Sequence, residues 1–216
     1  MEGLSLEHVR RCLSEHVPMY AWRRPIYQHA ALSSLKRMWE SEHRRVLDVG
    51  GGTGVIAQAL KDLFGVERVV SVDVENRYIE SLTIETAVFD GVTLPFSDNS
   101  FDGVVLFNVL HHVPPEVRLS LLRECRRVAG RGPIYIKDHL TRGTVDDLRL
   151  AGLDVLGNLP FSGMLRASYL TEADWSDLAT RSGHALERQV SGCYRSGLSG
   201  MLFPNRLEVS MKWRPV

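Results

Sequence analysis

Four glycines fall within five residues at Gly50-Gly51-Gly52-Thr53-Gly54, directly behind the apolar run Val46-Leu47-Asp48-Val49. Glycine tolerates positive φ and lets backbone approach a ligand closely, so a turn of this kind after a strand is a seat for a small molecule. The glycines Gly50, Gly52 and Gly54 read G-x-G-x-G. A dinucleotide fingerprint would need a small residue where Val55 stands. Asp48, just before the turn, would repel a pyrophosphate and suit a cationic ammonium, which points away from NAD and towards a nucleoside carrying an amino acid. Asp73 ends the next apolar run, 19 residues after Gly54. A carboxylate there can accept from both hydroxyls of a ribose, and Val74 beside it offers an apolar edge to adenine.

Two histidine-bearing segments could serve an acceptor. His111-His112 and Asp138-His139 each follow an apolar run, and histidine titrates in the range a general base needs. His139 and His111 are the candidate bases, with His112 and Asp138 as candidate contacts to the acceptor. No metal is expected, because neighbouring histidines on an extended segment point to opposite faces. Further upstream, Tyr20-Ala21-Trp22-Arg23-Arg24-Pro25-Ile26-Tyr27 mixes aromatics with arginines. Tyr20 with Arg23 or Arg24 suits an aromatic or carboxylated acceptor; a helix linker with solvated arginines is the alternative.

The elements that must position these residues follow from periodicity. Apolar residues at three-to-four spacing predict amphipathic helices over 4–17 and 29–39, separated by Pro18 and Pro25. Short apolar strands are predicted at 46–49, 68–73, 102–107 and 133–138, with a helical stripe from Val55 to Phe64 after the glycine turn. Near-continuous apolar strands alternating with helices imply a parallel sheet covered on both faces. Pro114-Pro115 opens one helix, and Thr171-Glu172-Ala173-Asp174 caps another that stops at Gly183. The stretches 185–191 and 207–213 read as a closing antiparallel pair. Residues 140–170 are longer than a packing connection needs and are expected to cover the site, with Gly157–Gly163 reading as loop.

Val46-Leu47-Asp48-Val49-Gly50-Gly51-Gly52-Thr53-Gly54 resembles the first motif of class I S-adenosylmethionine-dependent methyltransferases. Phe89-Asp90-Gly91 through Leu94-Pro95-Phe96 to Ser100-Phe101-Asp102 is similar to that family's stretch between its third and fourth strands. Phe107-Asn108-Val109-Leu110-His111-His112-Val113 is similar to its segment along the cofactor. The resemblance covers about residues 46–138 and is nearest to the broad small-molecule branch. It implies a Rossmann-like, mostly parallel seven-stranded sheet with helices on both faces, over 46–216, with residues 1–45 as a helical N-terminal lid. It further implies S-adenosylmethionine seated by Asp48, Gly50, Gly52, Gly54, Asp73, Val74, Asp90, Gly91 and Asn108, with Asp90 taking the adenine amino group and Asn108 at the methionine end. The expected activity is in-line transfer of a methyl group to O, N or C of a small molecule. Two readings of the same fold remain open: an enzyme using the bound cofactor as a structural cation, and a partner subunit that transfers nothing.

Composition narrows the acceptor. The 216 residues carry 26 Lys+Arg and 26 Asp+Glu, so the electrostatic footprint of a nucleic-acid binder is lacking and no such partner is expected. Cys12, Cys125 and Cys193 form no CxxC pair, which fits a reducing cytoplasm. Charged residues at Glu2, Glu7, Arg10 and Arg11, and the want of an apolar run of roughly 18 to 20 residues, lead us to expect neither secretion nor a membrane partner.

Overall fold

A computed structural model of the chain describes residues 3–158 and 167–216. Its sheet has seven strands in the order β3-β2-β1-β4-β5-β7-β6. The strands are β1 (Arg45–Val49), β2 (Arg68–Asp73), β3 (Glu85–Val88), β4 (Gly103–Phe107), β5 (Ile134–His139), β6 (His184–Val190) and β7 (Glu208–Pro215). The first five pair in parallel, and β7 runs antiparallel to both β5 and β6. The helices are α1 (Leu6–Ser14), α2 (Ile26–Lys36), α3 (Val55–Phe64), α4 (Pro115–Ala129), α5 (Thr144–Asn158), α6 (Glu172–Arg181) and α7 (Gly197–Leu202).

Side chains of a strand alternate between faces, and here β1, β2, β4 and β5 each feed two cores. Leu47, Val70, Val104, Leu106, Ile134 and Ile136 pack with α4 and α6 through Leu121, Leu122, Cys125, Trp175 and Leu178. Val46, Val69, Val105 and Tyr135 pack on the opposite face with α1, α2 and α3 through Val9, Leu13, Leu32, Leu35, Ala57 and Leu60. Burying a side chain of this size contributes roughly 1.5–3 kcal/mol, so the parallel strands can be apolar throughout only because both faces are covered. The N-terminal helices therefore complete a core as well as reaching the site.

The closing strands fall within two residues of expectation, and α6 carries the expected capping box. The Thr171 side chain accepts from the Asp174 backbone N–H while the Asp174 carboxylate accepts from that of Thr171. Three differences have physical reasons. Helix α2 begins at Ile26 rather than residue 29, because Pro25 at its N-cap lacks only an N–H that needs no intrahelical partner. Strand β3 carried no residue signal, being a four-residue edge strand with largely exposed side chains. Within 140–170, Thr144–Asn158 is helical, so the first two residues of the expected loop, Gly157 and Asn158, end a helix; residues 159–163 of that loop lie outside the described residues. Among the described residues no helix is long and apolar enough to cross a membrane. The three cysteines are free, with Cys12 and Cys125 buried.

Candidate active site

The carboxyl ends of β1, β2, β4 and β5 open on one cavity of about 770 Å³. That size holds a nucleoside-type ligand together with a small second molecule. In an open α/β sheet this edge is where ligands bind. The floor comes from the glycine turn (Gly50, Gly51, Gly52) and from Asp73, Val74, Phe89 and Gly91. One wall is the N-terminal segment with Met19, Tyr20, Arg23, Arg24 and Tyr27. The far wall holds Asn108, His111, His112, His139, Leu153 and Asp154.

Gly52 sits at φ +57°, and a Cβ built on it would meet nothing within 4 Å. The turn is thus open above Gly52, and a side chain there would fill the space a ligand needs. Gly51 is required for the opposite reason: a Cβ on it would meet Ser71 Oγ at 1.9 Å and Asp48 Oδ2 at 2.4 Å. Asp73 ties the turn to β2. Its Oδ2 accepts from the Gly52 N–H at 2.7 Å, and its Oδ1 accepts from the Glu75 N–H at 3.1 Å.

Not every expected cofactor residue faces the cavity. Asp48 is buried and accepts from Ser71 Oγ at 2.8 Å; burial pushes its carboxyl up to about 7, partly countered by the Ser71 hydrogen bond. It braces the turn from behind rather than lining the cavity. Asp90 is exposed and accepts from the N–H groups of Val92 and Thr93 at 2.8 and 2.6 Å, which hold its carboxyl below the ordinary range. Gly54 is the N-cap of α3, in the left-handed region. Asp138 lies behind His111, away from the lining. Gly50, Gly52, Asp73, Val74, Gly91, Asn108, Tyr20, Arg23, His111, His112 and His139 do line the cavity.

The far wall is a buried charge network. His111 Nδ1 donates to Asp138 Oδ1 at 2.5 Å, which leaves Nε2 buried without a hydrogen-bond partner. Asp138 also accepts from the Leu110 and His139 N–H groups. Burial would raise its carboxyl, but His111 and His139 outweigh that and hold it well below the carboxylate range. His139 lies between two carboxylates, with Nδ1 3.2 Å from Glu208 Oε2 and Nε2 3.4 Å from Asp154 Oδ1. Desolvation disfavours its charge, yet Glu208 and Asp154 prevail and raise its pKa to about 9. Lys137, wholly buried, donates to Glu208, to Tyr27 Oη and to Asn108 Oδ1. Burial alone would neutralise this ammonium, but Glu208 keeps it protonated.

The two neighbouring histidines do not diverge as an extended segment requires. Asn108 takes φ +57° and the chain turns through His111-His112, so their ring centroids are 4.0 Å apart. Asp154, Glu208 and Lys137 carried no motif. Asp154 was missed because its segment read as connection, and Lys137 and Glu208 because they sit on strands read for apolar pattern.

Sheet order, glycine turn and the Asp73 carboxylate at the end of β2 define the class: a class I, Rossmann-like S-adenosylmethionine-dependent methyltransferase fold, and an open Gly52 above a carboxylate suits that cofactor. Residues 47–136 match the family model described as "Methyltransferase domain". The ribosomal protein L11 methyltransferase of Thermotoga maritima is 36% identical over 102 residues, a match covering 44% of this chain and 36% of that protein. The matched stretch is therefore about a third of that relative's length. Among solved structures, a chain of the Haloferax volcanii complex with the Trm112 methyltransferase activator superposes with a TM-score of 0.69 at 16% identity, covering 99% of both chains. An S-adenosylmethionine-dependent methyltransferase of Methanosarcina mazei gives 0.62 at 18% identity, covering 84% of this chain and 96% of that one. These two likenesses establish the fold.

Proposed function

We propose that the protein transfers the methyl group of S-adenosylmethionine to an O, N or C nucleophile of a small molecule. The observation that carries this reading is that the Gly52–Asp73 cradle and the His111 side chain line the same walled cavity. The bound cofactor supplies an electrophilic methyl group on a sulfonium. The protein must then align the nucleophile with that group and exclude water. Asp73 is placed to accept from ribose hydroxyls, Val74 and Phe89 to flank adenine, and the Gly50–Gly52 backbone to take the amino-acid portion.

Asp138 fixes the His111 ring through Nδ1 and leaves Nε2 beside Asp154 at the far wall of the cavity. There His111 is suited to take the proton the acceptor loses as its bond to the methyl carbon forms. His139, protonated to about pH 9, is a cation at neutral pH and not a base. Tyr20, Arg23 and Arg24 on the N-terminal wall are suited to an aromatic or carboxylated acceptor. The enclosed volume and the balanced charge favour a small acceptor over a nucleic acid.

The experiment is incubation with methyl-labelled S-adenosylmethionine and host extract, followed by separation by size. Label in a low-mass compound is the expected result. Label in protein would replace the small-molecule reading by one like that of the Thermotoga relative's name, and label nowhere while the cofactor binds would favour a structural use of it.

A further inference from the structure

At the acceptor end of the cavity, three side chains from two elements converge on one point. The turn after β4 brings the His111 and His112 rings together at a 45° tilt, and α5 brings Asp154 down to them, buried. One donor atom from each of the three lies within 4.8 Å of the other two. His111 Nε2 is buried without a hydrogen-bond partner, 3.6 Å from Asp154 Oδ2. The other nitrogen of that ring is fixed by Asp138, and Tyr169 Oη donates to Asp154 Oδ2 at 2.5 Å.

We propose that His111 Nε2, His112 and Asp154 bind a divalent transition-metal ion, with its remaining positions open to the cavity. Two imidazoles and a carboxylate form a nitrogen-rich donor set that suits ions of the zinc, cobalt or iron(II) kind, whereas magnesium and calcium take oxygen. Three protein ligands with an open position is the pattern of a reactive site rather than a closed structural one. Bonds of about 2.0–2.1 Å in a tetrahedron put ligand atoms about 3.3 Å apart, so the trio needs movements of roughly an ångström. The outer shell is already in place. A carboxylate on the far nitrogen of a ligating histidine fixes its tautomer and raises its basicity, and Asp138 does this for His111. Such an ion also gives the buried His111 Nε2 the partner it lacks.

The ion's use rests on the methyl-transfer reading. An acceptor hydroxyl coordinated at the open position loses its proton to solvent and becomes a metal-bound alkoxide or phenolate. Its oxygen then forms the bond to the methyl carbon as the carbon–sulfur bond breaks, with that electron pair left on sulfur.

The test uses the full chain, freed of metal with a chelator and titrated with Co²⁺ while visible d–d absorption is followed. Binding of S-adenosylhomocysteine is measured separately by calorimetry. One Co²⁺ per chain, displaced by Zn²⁺, is expected, with His112→Gln and Asp154→Asn each weakening it at least about tenfold. Histidine-selective ¹⁵N NMR of the unmutated chain gives a variant-free readout: the ring signals of His111 and His112 should move on Zn²⁺ addition. No saturable Co²⁺ binding, binding unaffected by both substitutions, or unmoved ring signals would overturn the proposal. Co²⁺ binding without S-adenosylhomocysteine binding would leave the metal site standing and sink the donor reading; the reverse result would do the opposite.

Discussion

Residue environment, more than residue type, decides what the charged groups of this site can do. Asp48 lies one residue before the end of β1 and Asp73 ends the adjacent β2, but Asp48 is turned to Ser71 beneath Gly51 whereas Asp73 is at the cavity. Asp48→Asn keeps the shape and an acceptor for Ser71, so S-adenosylhomocysteine affinity is expected to change less than about threefold, under ~0.7 kcal/mol. A loss of tenfold or more in calorimetry would mean that Asp48 meets the ligand. His139 gives a pH prediction. Its pKa is raised from 6.5 to about 9 by Glu208 and Asp154 against the cost of burial, so the folded state holds a proton that the unfolded chain releases. Its contribution to stability is complete below about pH 6.5 and disappears as pH rises through 9. Melting temperature should fall across that interval, and His139→Gln should flatten the fall; an unchanged slope in the variant would count against the ion pairs.

The elements that carry the site differ in how they are held. Helix α6 is fixed by local sequence, through its capping box and the burial of Trp175 and Leu178. Thr171→Ala removes one half of the box and should cost about 1 kcal/mol, a drop in melting temperature of roughly 2–4 °C for a chain of this length. A drop near zero would show that tertiary packing alone holds the helix. Strands β1, β2, β4 and β5 were legible because buried parallel strands are apolar throughout. The exposed edge strand β3 has no such pattern, and α5 lacks a clear amphipathic stripe, so Asp154 stayed hidden. The glycine turn was legible because positive φ and close approach demand one residue type. The direction in which Asp48 and Asp90 point was not, since a side chain's orientation depends on partners such as Ser71 and the Thr93 N–H that lie elsewhere in the chain or turn.

Across the whole molecule, two cores share one sheet, and α1 and α2 belong to the second of them. Val9, Leu13, Leu32 and Leu35 are fully buried against α3 and the sheet. Removal of residues 1–21 should therefore expose apolar surface on α3 and lower stability throughout the molecule, read as loss of the cooperative melting transition. A shortened protein that melts normally but binds ligand faster would make this segment a lid and nothing more. The same segment carries Tyr20 and Arg23, which line the cavity together with the glycine turn.

The central claim is that Asp73, at the end of β2, holds S-adenosylmethionine above the open Gly52. The most direct measurement is calorimetric titration of S-adenosylhomocysteine into the unmutated chain and into Asp73→Ala, with folding of both checked by circular dichroism. Loss of charge-assisted hydrogen bonds to a ribose is worth about 3 kcal/mol, so affinity should drop roughly a hundredfold or more. Equal affinity in a folded Asp73→Ala protein would contradict the assignment.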